Sequence, residues 1–137
     1  EQVVAWLAEH PAVAEVFYPG IGDERGLIPR QMRGGGAMIA VRLRDGYAAA
    51  EALTGSVRLF THAVSLGGVD SLIQHPAALT HRPVAADARP DADILRLSIG
   101  LEHVDDLIAD LVQALDRASS ASQPAAAPGE EPTAAAR

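Results

Sequence analysis

The chain has 137 residues, 48% of them apolar, and a formal net charge of −7; this is enough for one compact domain with a core, and too apolar for a disordered chain. The acidic balance and the scattering of the basic residues exclude a nucleic-acid patch, so no nucleic-acid partner is expected. No apolar run approaches the roughly 20 residues that cross a bilayer, and no basic, apolar leader is visible, so neither a membrane span nor a secretory signal is expected.

Taken in order, Glu1 to Glu9 reads as the end of a helix, with Val3, Val4, Leu7 and Ala8 on one side. His10-Pro11 stops it, because the residue before a proline leaves the helical region. Val13 to Tyr18 reads as a short strand turned by Pro19-Gly20. Ile21 to Gly36 reads as a long polar connection. Its glycines, Gly20, Gly22 and Gly26, have the spacing GxGxxxG, and Pro19 interrupts any strand-to-helix entry, so a plain loop is the better reading than a dinucleotide cradle. Ala37 to Arg44 alternates: Ala37, Ile39, Val41 and Leu43 share one face, Arg42 and Arg44 the other. Tyr47 to Leu53 predicts an alanine-rich helix closed by Gly55.

Val57 to Phe60 and Val69 to Ile73 predict short strands, with Gly67 and Gly68 between them. Pro83 to Pro90 reads as a loop. Ile94 to Ile99 predicts another strand, with Leu95, Leu97 and Ile99 on one face and Ile94, Arg96 and Ser98 on the other. The last helix carries the clearest pattern: Val104, Leu107, Ile108, Leu111, Val112 and Leu115 recur at the helical period. Burying each contributes about 1.5–3 kcal/mol before entropy is subtracted. Glu102, Asp105 and Asp106 suit the positive end of the helix dipole, and with Asp110 they read as capping and a solvated face. From Ala118 the chain is alanine, proline, serine and glutamate without a period, which predicts a disordered tail over 118–137. The order of elements predicts an α+β fold: a small, mostly antiparallel sheet with helices packed on one face. Arg42, Arg96 and Ser98 point to the other face, which is expected to meet another domain.

The chemistry is bounded by two absences from the composition. There is no cysteine, which removes disulfides, thiolate metal sites and a thiol nucleophile, and fits a reducing, cytoplasmic setting. All eleven basic residues are arginine, so no lysine amine is available. His62, His75, His81 and His103 show no metal-ligand spacing, and no metal is expected. Ser65 or Ser98 could be combined with a histidine and an aspartate on paper, but no nucleophile-elbow context supports a triad.

Two motifs remain. One runs Val64-Ser65-Leu66-Gly67-Gly68-Val69-Asp70-Ser71-Leu72-Ile73-Gln74-His75-Pro76 and closes with Thr80-His81. The other runs Leu95-Arg96-Leu97-Ser98-Ile99-Gly100-Leu101-Glu102, then Asp105-Asp106-Leu107. With Trp6-Leu7, His10-Pro11, Val16-Phe17-Tyr18-Pro19-Gly20 and Gln31-Met32, they resemble the C-terminal small domain of the Cys/Met-metabolism enzymes that use pyridoxal phosphate. These are cystathionine γ-synthase, cystathionine γ-lyase and methionine γ-lyase. The resemblance implies that residues 1–117 are the small domain of a fold-type I enzyme whose large domain precedes it. That large domain would supply the cofactor lysine and phosphate cradle, so this chain carries no catalytic residue of its own and is inactive alone.

The same resemblance places the substrate-carboxylate arginine at Arg96. It places Ser65 beside the cofactor-lysine linkage and the carboxylate, and Thr80 near the carboxylate. The residue before the serine is glutamate in many cystathionine-processing members; Val64 leans toward a methionine γ-lyase-like enzyme, since valine offers an apolar wall to a thioether. Arg96 also interrupts an apolar strand, and a guanidinium fork binds a carboxylate through two parallel hydrogen bonds. The implied partners are a sulfur-containing amino acid and further copies of the enzyme in a homotetramer. A stand-alone amino-acid-binding or interaction module is the alternative, and a large exposed apolar patch would argue against it.

Overall fold

The computed structural model describes residues 1–79 and 91–122. Thr80, His81 and the expected 83–90 loop lie outside the described residues, as does the chain beyond 122. The sheet starts from the alternation read between Ala37 and Arg44: Met38–Leu43 forms strand β2 and buries Ile39, Val41 and Leu43. On one side it pairs antiparallel with β1, Val13–Phe17, and on the other with β5, Ile94–Ser98. β5 pairs antiparallel with β4, Leu72–Gln74, and β4 pairs parallel with the edge strand β3, Thr61–His62. The order is β1-β2-β5-β4-β3, mostly antiparallel as expected.

Three helices cover one face. Helix α1, Gln2–Glu9, contributes Val3, Val4 and Leu7; α3, Gly46–Ser56, contributes Ala49, Ala50 and Leu53; α5, Val104–Ser122, contributes Leu107, Leu111, Ala114 and Leu115. They close over Ile39, Val41, Ile73, Leu95 and Leu97 in one core. The small alanines of α3 let it pack closely on α5. Two one-turn helices complete the fold, α2 (Ile28–Gln31) and α4 (Pro76–Leu79). Among the described residues, no helix is long and apolar enough to cross a membrane.

Several boundaries differ from expectation, each for a local reason. Residues Val57 to Phe60 are not a strand. The backbone N–H groups of Arg58, Leu59 and Phe60 donate to the Asp110 carboxylate at 2.7–3.1 Å. Amides turned toward one side chain cannot also form a ladder. Asp110 is therefore not on a solvated face; it is 6% exposed, and its reading as a surface charge is corrected. The strand expected over Val69–Ile73 begins at Leu72: Val69 O accepts from Leu101 N, and Ser71 N donates to the Glu102 carboxylate. In the connection after Tyr18, the Asp23 carboxylate accepts from Leu27 N and Ile28 N, both at 2.8 Å, and so starts α2. Helix α3 runs through Gly55 to Ser56. Helix α5 continues past Arg117 to Ser122, with Ala118 buried in the core, so the boundary expected at Ala118 falls within the helix.

Burial alone would raise the Asp110 carboxyl, but the amides of Phe60, Leu59 and Arg58 and the Gln113 side chain hold it below the ordinary value. A depressed native value means stability that is present above about pH 4, where the unfolded carboxyl is ionised, and lost as the pH falls through the native value. Asp110→Asn should cost about 2 kcal/mol at neutral pH. It should also flatten the decline in Tm between about pH 5 and about pH 2. A variant whose Tm declines in parallel with the parent over that range would show that Asp110 carries no such linkage.

Candidate functional site

Two arginines occupy the sheet positions that alternate with the buried ones, and they differ in how far they are neutralised. Arg42 on β2 is enclosed by carboxylates: Glu15 at 3.3 Å, Asp91 at 2.6 Å and Asp93 at 3.5 Å. Its guanidinium also stands 5.6 Å from the centre of the Phe17 ring. Arg96 on β5 has no carboxylate partner among the described residues. Its Nη2 donates to the backbone carbonyl of Ser65 at 3.0 Å. A guanidinium has five N–H groups in a planar fork, and among the described residues Arg96 is held by one corner alone. Arg42 is the ordinary surface ion pair; Arg96 is not.

The Ser65–Ser71 loop is laid against β5 and the residues after it. Gly67 N donates to Ser98 Oγ at 2.8 Å. Leu101 N donates to Val69 O at 2.8 Å. Ser71 Oγ accepts from Gly100 N at 2.8 Å and donates to Glu102 Oε2 at 2.8 Å, while Ser71 N donates to Glu102 Oε1 at 2.7 Å. The chain then reverses, and β4 returns along β5 with Leu72 opposite Ser98 and Gln74 opposite Arg96. Arg96 is thus bounded by the start of the loop and the end of the returning strand. Two glycines permit this. Gly67 adopts φ +75°, and a Cβ at Gly100 would run into the carbonyl of Val69 and the backbone of Asp70.

Glu102 shares the fate of Asp110. Burial would raise it, but the Ser71 amide, its own amide and the Ser71 hydroxyl outweigh that and lower it. Its expected role as helix-end charge is therefore corrected: it is a part-buried acceptor for the loop. Ser98, expected on the open face, is 1% exposed because the loop lies over it.

Of the residues singled out in the sequence, Arg96 and Ser65 are in direct contact. Val64 precedes Ser65 and is exposed. Thr80 lies outside the described residues. Val64 just before the loop, Leu66 and Val69 on it and Leu101 beside it are all exposed, Leu101 at 82%. A cavity of about 340 Å³ lies elsewhere, lined by Val4, Ala5, Ala8, Tyr18 and Ile21, and includes none of these residues.

His75 is buried, with Nε2 2.7 Å from Ala92 O and its ring 5.0 Å from that of Tyr47. His62 and His103 are exposed. Among the described residues there is no cluster that could hold a metal, and no serine bonds a histidine. In the glycine-bearing loop, the Asp23 carboxylate already occupies the amides of Leu27 and Ile28. Ser71, Ser98, Gly100 and Glu102 were not identified as site residues from the sequence. All lie inside the two motifs, and the co-occurrence of those motifs was the one available signal.

Three comparisons bear on this geometry. The model of the Cys/Met metabolism PLP-dependent enzyme family matches residues 1–116. The L-methionine gamma-lyase of Brevibacterium sandarakinum is 58% identical over 118 residues, covering 85% of this chain and 30% of that enzyme. The cystathionine gamma-synthase of Mycobacterium tuberculosis is 49% identical over 117 residues, covering 82% and 30%. The structure of cystathionine gamma synthase from Xanthomonas oryzae superposes with a TM-score of 0.78 at 40% identity, over 87% of this chain and 32% of that one. The chain thus spans about 30% of the length of the curated relatives it matches. Sequence and fold agree over nearly the whole described chain, and the chain belongs to the Cys/Met metabolism PLP-dependent enzyme family.

Proposed function

We propose that this chain is the C-terminal, substrate-binding part of a pyridoxal phosphate-dependent lyase or transferase of sulfur amino-acid metabolism. One observation carries the reading: among the described residues, the Arg96 guanidinium fork has no acidic partner and is tethered at one corner to the Ser65 carbonyl, at the start of a loop with exposed apolar side chains. A fork of this kind receives an α-carboxylate in a fixed orientation.

The residues of this chain do not fit the cofactor's covalent anchor, since the chain has no lysine. The cofactor belongs, in this reading, to a large domain preceding residues 1–117. When bound it supplies an electron sink for charge developing on the substrate carbons. The chain's own residues act on the substrate. Arg96 holds the α-carboxylate, Ser65 fixes the Arg96 fork through its carbonyl, and Val64 offers an apolar wall to the distal thioether. Thr80 joins them through its place in the motif. The reaction is γ-elimination on methionine or cystathionine, with γ-replacement on an activated homoserine the second choice. The 58% identity to a methionine gamma-lyase, against 49% to a synthase, supports that order.

The exposed Val64, Leu66, Val69 and Leu101 support a covering domain or neighbouring subunit, and oppose a stand-alone module. We place the intact enzyme as a cytoplasmic homotetramer; absence of cysteine is in keeping with a reducing compartment.

In the intact enzyme, Arg96→Lys should raise the KM for methionine about 10- to 100-fold with a smaller change in kcat, because a point charge cannot replace a bidentate fork. Steady-state kinetics giving an unchanged KM would refute the assignment. Val64→Glu should shift kcat/KM toward cystathionine and away from methionine. If the ratio between the two substrates stays constant, Val64 is not part of the specificity wall.

A further inference from the structure

We infer that Ser98 and Glu102 are positioning residues for substrate binding: they clamp the Ser65–Ser71 loop so that the Ser65 carbonyl holds Arg96 in its receiving orientation. The inference rests on Arg96 as the carboxylate anchor and deepens that reading.

A long arginine side chain on an open sheet face loses much rotamer freedom when it binds a ligand, which weakens binding unless the loss occurs beforehand. Arg96 has no ion pair among the described residues to provide that order. The Ser65 carbonyl provides it, at 3.0 Å from Nη2. A carbonyl in an exposed loop is useful only if the loop itself is fixed. The loop has exposed side chains from Val64 to Asp70 and buries little of its own, so packing does not fix it. Hydrogen bonds do. Ser98 lies two residues beyond Arg96 on the same strand face, is buried, and accepts the amide of Gly67, two residues beyond Ser65. Glu102 takes the far end through the Ser71 amide and hydroxyl, and the same hydroxyl accepts Gly100 N. The attachment points advance together, Ser65 on Arg96, Gly67 on Ser98, Ser71 on Gly100 and Glu102, so a loss at either anchor is felt at Ser65. The bonds of both residues go to the loop, Ser98 to Gly67 and Glu102 to Ser71, so both act through it.

The test uses the full-length enzyme loaded with cofactor and L-methionine as substrate. Ser98→Ala should raise KM about tenfold with kcat held within about twofold, the pattern of lost uniform binding. Amide exchange at residues 65–71 should quicken in the same variant. Glu102→Gln, which keeps the side-chain shape, should act in the same direction and serves if Ser98→Ala does not fold. In an Arg96→Ala background, adding Ser98→Ala should change KM by less than about twofold, because the clamp has nothing left to position. Faster exchange with an unchanged KM in both variants would overturn the inference while leaving Arg96 as the anchor. An Arg96→Ala enzyme with a normal KM would instead overturn the anchor, and the clamp's role with it.

Discussion

Successive side chains on a strand point to opposite faces, and β5 uses that alternation to couple the core to the site. Leu95 and Leu97 are essentially fully buried against the helices, while Arg96 and Ser98 face the loop. A slip of one residue in the pairing of β5 would move the arginine into the core and a leucine onto the site. β2 on one side and β4 on the other hold the register, with Ala40 and Gln74 both opposite Arg96. The position of the guanidinium is therefore set by the same contacts that close the core.

The segment between α3 and β4 is held by two acids, one in α5 and one just before it. Asp110, well inside α5, binds the amides at residues 58–60, and Glu102, just before α5, binds residue 71. Both carboxyls are lowered despite burial, because fixed N–H and O–H donors favour the charged form more than desolvation disfavours it. Charge-assisted bonds to backbone suit a stretch with little apolar surface to bury. The helix that contributes Leu107, Leu111, Ala114, Leu115 and Ala118 to the core thereby also orders residues 58–60, and the turn leading into it orders the end of the loop.

The two outward arginines show why residue type alone does not define a site. Arg42 and Arg96 occupy alternating positions on adjacent strands, and both interrupt apolar sequences. Three acids surround Arg42, and only the Ser65 carbonyl meets Arg96 among the described residues. The first arrangement neutralises the guanidinium among nearby acids; the second, among the described residues, does not. The exposed apolar side chains of Val64, Leu66, Val69 and Leu101 fit the chain's share of its relatives' length, about 30%.

The sequence by itself determined the elements with a clean period. The β2 and β5 alternations, the α5 stripe and the α+β class follow from side-chain spacing, which needs no knowledge of distant partners. Arg96 and Ser65 were singled out through motifs that carry the family's pattern, and the structure sets the two in direct contact. The tertiary structure alone decided what Asp110, Glu102, Ser71 and Ser98 do. Each is an ordinary polar residue whose role depends on an amide between 29 and 52 positions away. An acid on a helix and a serine on a strand look the same whether water or a buried amide meets them. Only the packing of α5 and β5 against the 58–71 segment brings those amides within reach and excludes the water that would otherwise compete.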